Sequence, residues 1–329
     1  MQIELDLDRY GADARCSAIA DFAEIIAWRE GWCGKQAIAD LLERIGRVRY
    51  RDRHTGGILL EPNEVGFING SDGLDPDANE VSDAIAGTPQ LLVDAVWRTL
   101  DERRNILGDL YPYKFLETSI RKRRIGRHQY HALLAITIAH AFALSVPLSV
   151  GPTVEHVFER AVARCMTRPG WTVVPFGTAA SGGFRAKVAA AEARLGWKMR
   201  INATVRSTAP QDAGLDVIMH MPWGDDRCGR LLLLGQATCG QSHTWGEKLA
   251  AESMRRNWGP RFQFPNAPTP VPFIAVCHHV ETGIWESLHE SHDGFVMDRL
   301  RLVLQPGWGH LSSEEREVIA EVLKAPMST

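Results

Sequence analysis

Two polar side chains in the second half of the chain adjoin otherwise apolar segments. Asp216 precedes the apolar end of residues 212–219 (DAGLDVIM), and Gln236 follows the leucines at 231–234. A buried carboxylate or amide requires a hydrogen-bonding partner or a metal ion. Because only a short polar segment at 225–229 separates the two runs, we expect neighbouring strands with both side chains at one end of a sheet. This arrangement is typical of a metal-dependent phosphodiesterase.

The elements that would position these side chains alternate between helices and strands. Periodicity predicts helices at 151–167, 184–195, 245–258 and 312–323, and strands at 171–176, 214–220, 230–237 and 271–277. Ser312 and Glu315 form a predicted capping box for the last helix. The first half reads as mainly helical, with Thr88-Pro89 as a helix start and a polar stretch at 51–79 as a loop that contains one short strand at 57–60.

Length and composition indicate an ordinary globular protein of two domains. The 329 residues carry a net charge of −3, so any contact with a polyanion must come from a local patch. Six scattered cysteines without a CxxC pair, and an N-terminus without an apolar signal segment, predict reduced thiols in a cytoplasmic protein. Residues 131–150 contain two histidines and a proline, which favours a buried helix over a membrane span.

Three short motifs give the second half a resemblance to a known group of enzymes. Phe158-Glu159 lies on the first helix, residues 212–216 read D-x-G-Φ-D with Φ apolar, and Gln236-Ala237-Thr238 ends the third core strand. In this order they resemble the PD-(D/E)xK nuclease superfamily, nearest to its Mrr-like restriction endonuclease group. The family lysine would fall at Thr238, so the chain departs from the pattern there. In some members the following helix supplies the lysine, and Lys248 lies in that helix.

The resemblance implies a fold, a cofactor and a set of roles. The fold is α/β, with a restriction-endonuclease-like αβββαβ core at 151–329 and a mainly α-helical N-terminal domain at 1–150 that recognises a target or partner. Asp216 and Glu159 would bind Mg²⁺, with Mn²⁺ as the alternative ion, Gln236 would complete the site, and Lys248 would assist catalysis. The implied reaction is hydrolysis of DNA phosphodiester bonds, in a setting of anti-phage defence.

Each candidate also has a structural explanation. Asp216 could cap a turn before a strand, Gln236 could be an amide bound by the backbone, and Lys248 could be an ordinary surface lysine. Glu159 could lie on a solvated helix face, and Glu155, one turn earlier, competes for the same role. The group Cys277, His278, His279, His289 and His292 matches no common zinc spacing.

One dense basic run, Arg121, Lys122, Arg123 and Arg124, is the candidate nucleic-acid contact. Such side chains bind phosphates and position a nucleic acid without reading its sequence. The alternatives are a solvated helix end or a docking surface for an acidic partner. The sequence does not decide among the three.

Two other functions remain open from the sequence. The missing lysine at Thr238 favours a catalytically inactive nuclease-fold subunit that binds DNA or acts as a scaffold in a larger complex. An RNase effector is a further alternative. A site with so few carboxylates would bind metal weakly, so we also expect a partner protein that activates or recruits the chain. The position of Lys248 relative to Asp216 and Gln236 would discriminate enzyme from scaffold.

Overall fold

The structure is a computed structural model that describes residues 3–4, 15–42, 89–123, 129–141, 152–202, 214–224, 230–240, 244–249, 258–264, 269–306, 311–324 and 327–328. Within these ranges the chain is a mixed α/β protein with mixed sheets, which confirms the α/β part of the predicted fold class. The loop predicted at 51–79, with its short strand, lies outside them, and so does Arg124.

The described part of the first half is mainly helical, as predicted, and it contains a small sheet that the sequence did not indicate. Its elements are β1 (Ile3–Glu4), α1 (Arg15–Glu30), β2 (Trp32–Gly34), α2 (Pro89–Leu107), β3 (Tyr113–Phe115), β4 (Ser119–Lys122) and α3 (Gln129–Ala141). Residues 35–42 are also helical. The strands pair antiparallel in the order β2-β4-β3. Strands of three or four residues carry too little periodicity to be recognised from the sequence.

The second half follows the predicted order closely. Its elements are α4 (Val154–Cys165), β5 (Thr172–Pro175), α5 (Phe184–Leu195), β6 (Arg200–Ile201), β7 (Val217–Met221), β8 (Leu231–Thr238), α6 (Trp245–Leu249), β9 (Phe262–Gln263), β10 (Val271–Val276), α7 (Thr282–Ser291), β11 (Phe295–Met297), α8 (Arg299–Val303), α9 (Ser313–Lys324) and β12 (Met327–Ser328). The capping box is confirmed, because Glu315 N donates to Ser312 Oγ (3.1 Å) and Ser312 N donates to Glu315 Oε2 (2.8 Å).

A five-stranded mixed sheet in the order β11-β10-β8-β7-β5 forms the centre of this half. Strand β7 pairs antiparallel with both β5 and β8, whereas β10 pairs parallel with both β8 and β11. Helix α6 lies in the connection between the parallel strands β8 and β10, as parallel pairing requires a crossover. The strands that carry Asp216 and Gln236 are therefore adjacent, as predicted.

The alternation of side chains along the strands separates two packed faces. Val217 and Phe273 lie on the face covered by α4, whereas Ile218 and Leu234 pack with residues of α5 on the other. Gly235 has no room for a side chain, because a Cβ there would overlap the Phe273 ring. Asp216, Gln236 and Thr238 occupy strand positions that alternate with those of Val217 and Phe273. They therefore lie on the opposite face of the sheet, which α5 and α6 cover.

One apolar core extends through both halves of the chain. The cluster that contains Ile19 of α1 and Ile120 of β4 also contains Phe158 of α4 and Val318 of α9. The division at residue 150 stays a prediction, and the described residues on its two sides share this core. Helix α3, which covers residues 131–141 of the predicted buried segment, packs within this core, and residues 142–150 lie outside the described ranges. No helix in the described ranges is long and apolar enough to cross a membrane.

A buried network of charges, which the sequence did not indicate, joins the same elements. Arg299 of α8 makes two 2.7 Å contacts with the carboxylate of Asp21 on α1, and Arg103 of α2 contacts both Asp21 (2.7 Å) and Glu24 (3.0 Å). The Tyr130 hydroxyl donates to Glu24, and all five side chains are at most 1% exposed. We name Asp21, Glu24, Arg103 and Arg299 the buried ion cluster. Because charges are costly to bury unless paired, these contacts tie the elements together in one geometry.

Candidate active site

Asp216 is held at the point where β7 meets both of its neighbours. Its backbone N–H donates to Gly235 O (2.9 Å), and its own carbonyl accepts from Phe176 N (2.7 Å). Its side chain is 8% exposed, and Oδ2 accepts a hydrogen bond from Ala237 N (2.7 Å). The backbone around Asp216 thus orients its carboxylate toward the end of β8.

Glu159 reaches the same end of the sheet from α4. Its Oε1 accepts from Thr178 Oγ1 (2.6 Å) and its Oε2 from Ala179 N (2.7 Å), so the loop after β5 binds the carboxylate. Glu155 does not share this position, because its carboxylate lies 3.7 Å from His140 Nε2. The structure therefore places Glu159, and not its competitor Glu155, beside Asp216.

The two carboxylates converge over Gly177, which follows β5. A Cβ built on Gly177 would overlap Asp216 Oδ1 and would lie only 2.5 Å from Glu159 Oε2. Glycine is thus required here because a side chain would fill the space between the two carboxylates. The sequence did not single out Gly177, since nothing local to it indicates that two distant acids approach its Cα.

Gln236 lies beside Asp216 on the same face of the sheet. Its side chain is 9% exposed, and Oε1 lies 3.4 Å from the position that a Cβ of Gly214 would occupy. Gly214 has φ +77°, a conformation that favours glycine. The second glycine therefore lets the chain turn into β7 close to the amide of Gln236.

Lys248 is the residue whose location relative to Asp216 and Gln236 was expected to discriminate an enzyme from a scaffold. Its Nζ donates to Thr238 Oγ1 (2.6 Å), so the ammonium of α6 reaches the residue at which the family lysine would fall. Burial lowers the pKa of Lys248, while the negative charge of Asp216 opposes that shift. The ammonium therefore lies at the end of β8, partly removed from solvent and near enough to Asp216 for the two charges to interact.

Lys187 is a further residue of this site that the sequence reasoning missed. It lies on α5, is 3% exposed, and its Nζ donates to Gly177 O at 2.5 Å. The signal was present in the sequence, because Phe184, Lys187, Val188 and Ala191 share one helical face and a lysine among apolar positions needs a partner. Lys187 holds the glycine over which the carboxylates converge.

These groups fit a hard divalent cation. Mg²⁺ commonly uses one or two carboxylates and completes its octahedral shell with water and substrate phosphate. Asp216 and Glu159 offer the two carboxylates, Gly177 leaves the space, and Gln236 offers an amide oxygen. Throughout the described ranges, no group of three or more His, Cys, Asp or Glu side chains is arranged to hold a metal ion. A cation here would therefore depend on water and substrate for most of its ligands.

The basic run lies on a strand and not on a helix end. Arg121 and Lys122 are exposed on β4, whereas Arg123 lies 3.5 Å from Asp109 and also donates to backbone carbonyls. Lys122 donates to Trp28 O (3.1 Å) and lies over the Trp28 ring. Of the three described cations, two are thus occupied by contacts within the protein.

Comparisons with protein-family models, with curated proteins and with solved structures find no match to this chain.

We predict that Gly177→Ala impairs metal binding far more than folding. The backbone of Gly177 is in a region open to alanine, so the strain falls on the carboxylates that the new methyl group would displace. Mn²⁺ affinity, measured by calorimetry, should fall about tenfold or more, a loss typical of changes that displace metal ligands from their positions. Gly183→Ala is the matched control, because a Cβ there meets no atom within 4 Å. Equal Mn²⁺ affinity in the two variants would contradict the site.

Proposed function

We propose that this protein is a metal-dependent nuclease with a PD-(D/E)xK-like site, built on a restriction-endonuclease-like core. The observation that carries the proposal is the convergence of Asp216 and Glu159 over Gly177, with Lys248 seated on Thr238. The strand order of the central sheet and the crossover through α6 also agree with the αβββαβ arrangement that the motifs imply.

Each side chain has a distinct task in phosphodiester hydrolysis. A divalent cation, when bound, supplies Lewis-acid activation of water and neutralises charge on the scissile phosphate. Asp216 and Glu159 orient that cation, and the N–H groups of Ala237 and Ala179 keep the two carboxylates in place. Lys248 presents a positive charge to the phosphate as negative charge develops on its oxygens. Gln236 limits the space beside Asp216 and offers an oxygen to the cation or its water.

The position of Lys248 favours an enzyme over an inactive subunit. A scaffold has no need to hold an ammonium partly removed from water at this end of the sheet, because burial of a charge costs free energy. Thr238 is too short to replace a lysine, yet its hydroxyl accepts a hydrogen bond from one. The departure from the family motif is thus compensated by a residue ten positions later.

The proposed function is tested by incubating purified protein with supercoiled plasmid, single-stranded DNA and RNA, each with Mg²⁺, Mn²⁺ or EDTA. Metal-dependent cleavage of DNA is the expected result. Cleavage of RNA alone would select the RNase alternative. Absence of cleavage on every substrate, with and without cell extract as a source of an activating partner, would favour the scaffold.

We predict an alkaline limit to activity that depends on Lys248. Because burial lowers the pKa of Lys248 from its ordinary value of 10.5, the ammonium loses its proton at a lower pH than an exposed lysine would. The cleavage rate should therefore fall as pH rises through that lowered pKa. Lys248→Arg keeps the charge at all these pH values and should abolish this decline. The rate–pH profiles of both proteins provide the measurement, and the same decline in the arginine variant would contradict the role.

A further inference from the structure

The small sheet β2-β4-β3 has one buried face and one exposed face. Cys33, Ile120 and Tyr113 point into the core and are at most 2% exposed. Side chains alternate along strands, and the adjoining residues Trp32, Lys114 and Arg121 are exposed. Trp32 is opposite Arg121 across β2 and β4, and Lys114 is opposite Arg121 across β3 and β4. We name Trp32, Arg121 and Lys114 the exposed row.

Trp32 is unusual for a side chain in solvent. It is 56% exposed, although an indole is among the most favourable groups to bury. Its ring lies along β2 above Gly34, where a Cβ would come within 3.0 Å of the ring. The glycine therefore lets the indole approach the strand closely while more than half of the residue's surface stays open to solvent.

The two cations of the exposed row are available to a ligand. Among the described residues, neither the Arg121 nor the Lys114 side chain has a hydrogen bond or ion pair, in contrast to those of Arg123 and Lys122. The nearest carboxylates along the chain, Glu30 and Glu117, lie at the end of α1 and in the β3–β4 turn. The row thus presents one exposed aromatic side chain with positive charge on the strands beside it.

We propose that the exposed row binds unpaired nucleic acid, with a base stacked on Trp32 and the backbone phosphates on Arg121 and Lys114. Every base has a face that can stack on an indole, and the charges of the row are opposite to those of the phosphates. A duplex hides its base faces, so stacking requires an unpaired strand. The inference extends the proposed nuclease function by naming the substrate form, and it revises the predicted contact from the basic run to this row.

The test measures binding without cleavage. Asp216→Asn protein in EDTA is titrated into a fluorescein-labelled oligothymidylate and into a duplex of the same length, and anisotropy is recorded at several salt concentrations. We expect tighter binding of the single strand and, for Trp32→Ala, a loss of about fivefold or more that spares the duplex. Trp32→Phe should retain most of the affinity. Replacing Arg121 and Lys114 together with alanine should flatten the salt dependence.

The controls match the substitutions in type and exposure. Trp223→Ala removes another tryptophan, 60% exposed, and Lys198→Ala removes another exposed lysine, so both should leave binding unchanged. Unchanged affinity in Trp32→Ala, an equal loss for single strand and duplex, or displacement by polyglutamate as effective as by oligonucleotide would overturn the proposal. The two proposals can fail separately, because this test measures binding in EDTA. Absence of cleavage would contradict the nuclease function, whereas the binding result alone decides whether the exposed row binds a single strand.

Discussion

Asp216→Asn should reduce metal-dependent cleavage by about a thousandfold while leaving the fold intact. The asparagine keeps an oxygen that can accept from Ala237 N, so the end of β8 retains its hydrogen bond. It loses the negative charge that would bind a cation between Asp216 and Glu159, and removal of such charge stabilisation costs a rate of this order. Because the variant also relieves repulsion between two carboxylates, its thermal stability in EDTA should equal or exceed that of the wild type.

Three measurements separate this effect from unfolding. Plasmid cleavage gives the rate, calorimetry with Mn²⁺ gives the metal affinity, and thermal unfolding with and without Mn²⁺ gives the stabilisation by bound metal. The ion should raise the unfolding temperature of the wild type and leave that of Asp216→Asn unchanged. Asp109→Asn, at an exposed aspartate far along the chain from the site, is the matched control and should behave as the wild type. Undiminished cleavage by Asp216→Asn would remove this carboxylate from the mechanism.

Arg299→Met should lower the free energy of unfolding by about 3–5 kcal/mol, the cost of removing one partner from a buried ion network. Arg299 is fully buried and makes two 2.7 Å contacts with the Asp21 carboxylate, and its loss leaves Asp21 and Glu24 to share the guanidinium of Arg103. It also donates to Cys277 O (2.9 Å) and to Thr137 Oγ1 (2.9 Å), so its loss affects α3 and the end of β10 as well. Chemical denaturation followed by circular dichroism measures the change.

The double variant Asp21→Asn with Arg299→Met tests the cause. If the excess negative charge left in the buried ion cluster is responsible, removing the charge of Asp21 should recover part of the loss, and a double-mutant cycle gives the coupling. Arg316→Met, which replaces an arginine whose side chain, among the described residues, donates to an exposed backbone carbonyl, is the control and should change stability little. A loss below about 1 kcal/mol in Arg299→Met would contradict the importance of the buried ion cluster.

Asp21 of this cluster makes its own contribution to stability depend on pH in a defined direction. Burial raises the pKa of Asp21, but Arg299 and Arg103 outweigh burial and hold that pKa at about 2, below its ordinary 3.8. A carboxyl with a lowered pKa stabilises the fold above its unfolded value and loses that contribution as pH falls through the folded one. The stability that Asp21 contributes should therefore be lost from about pH 4 toward pH 2. The difference between wild type and Arg299→Met should shrink over the same window.

What the sequence determined by itself was local. The helix at 184–195, the start of α2 at Pro89 and the capping box of Ser312 and Glu315 follow from periodicity and end signals that neighbouring residues carry. Asp216 and Gln236 could be placed on adjacent strands because only a short polar segment separates the two apolar runs. Fold class and candidate residues in the second half were thus accessible without coordinates.

Only the tertiary structure decided which of these residues meet. The approach of Glu159 and Asp216 over Gly177, the contact of Lys248 with Thr238 and the anchoring of Gly177 by Lys187 join residues from separate elements. The ion pair of Asp21 and Arg299 joins residues that are 278 positions apart in the sequence. No periodicity encodes such pairs, because they depend on how packed elements are oriented and on which side chain has room. The small sheet that presents Trp32 was not predicted from the sequence for a related reason. Its short strands depend on pairing partners that are distant along the chain.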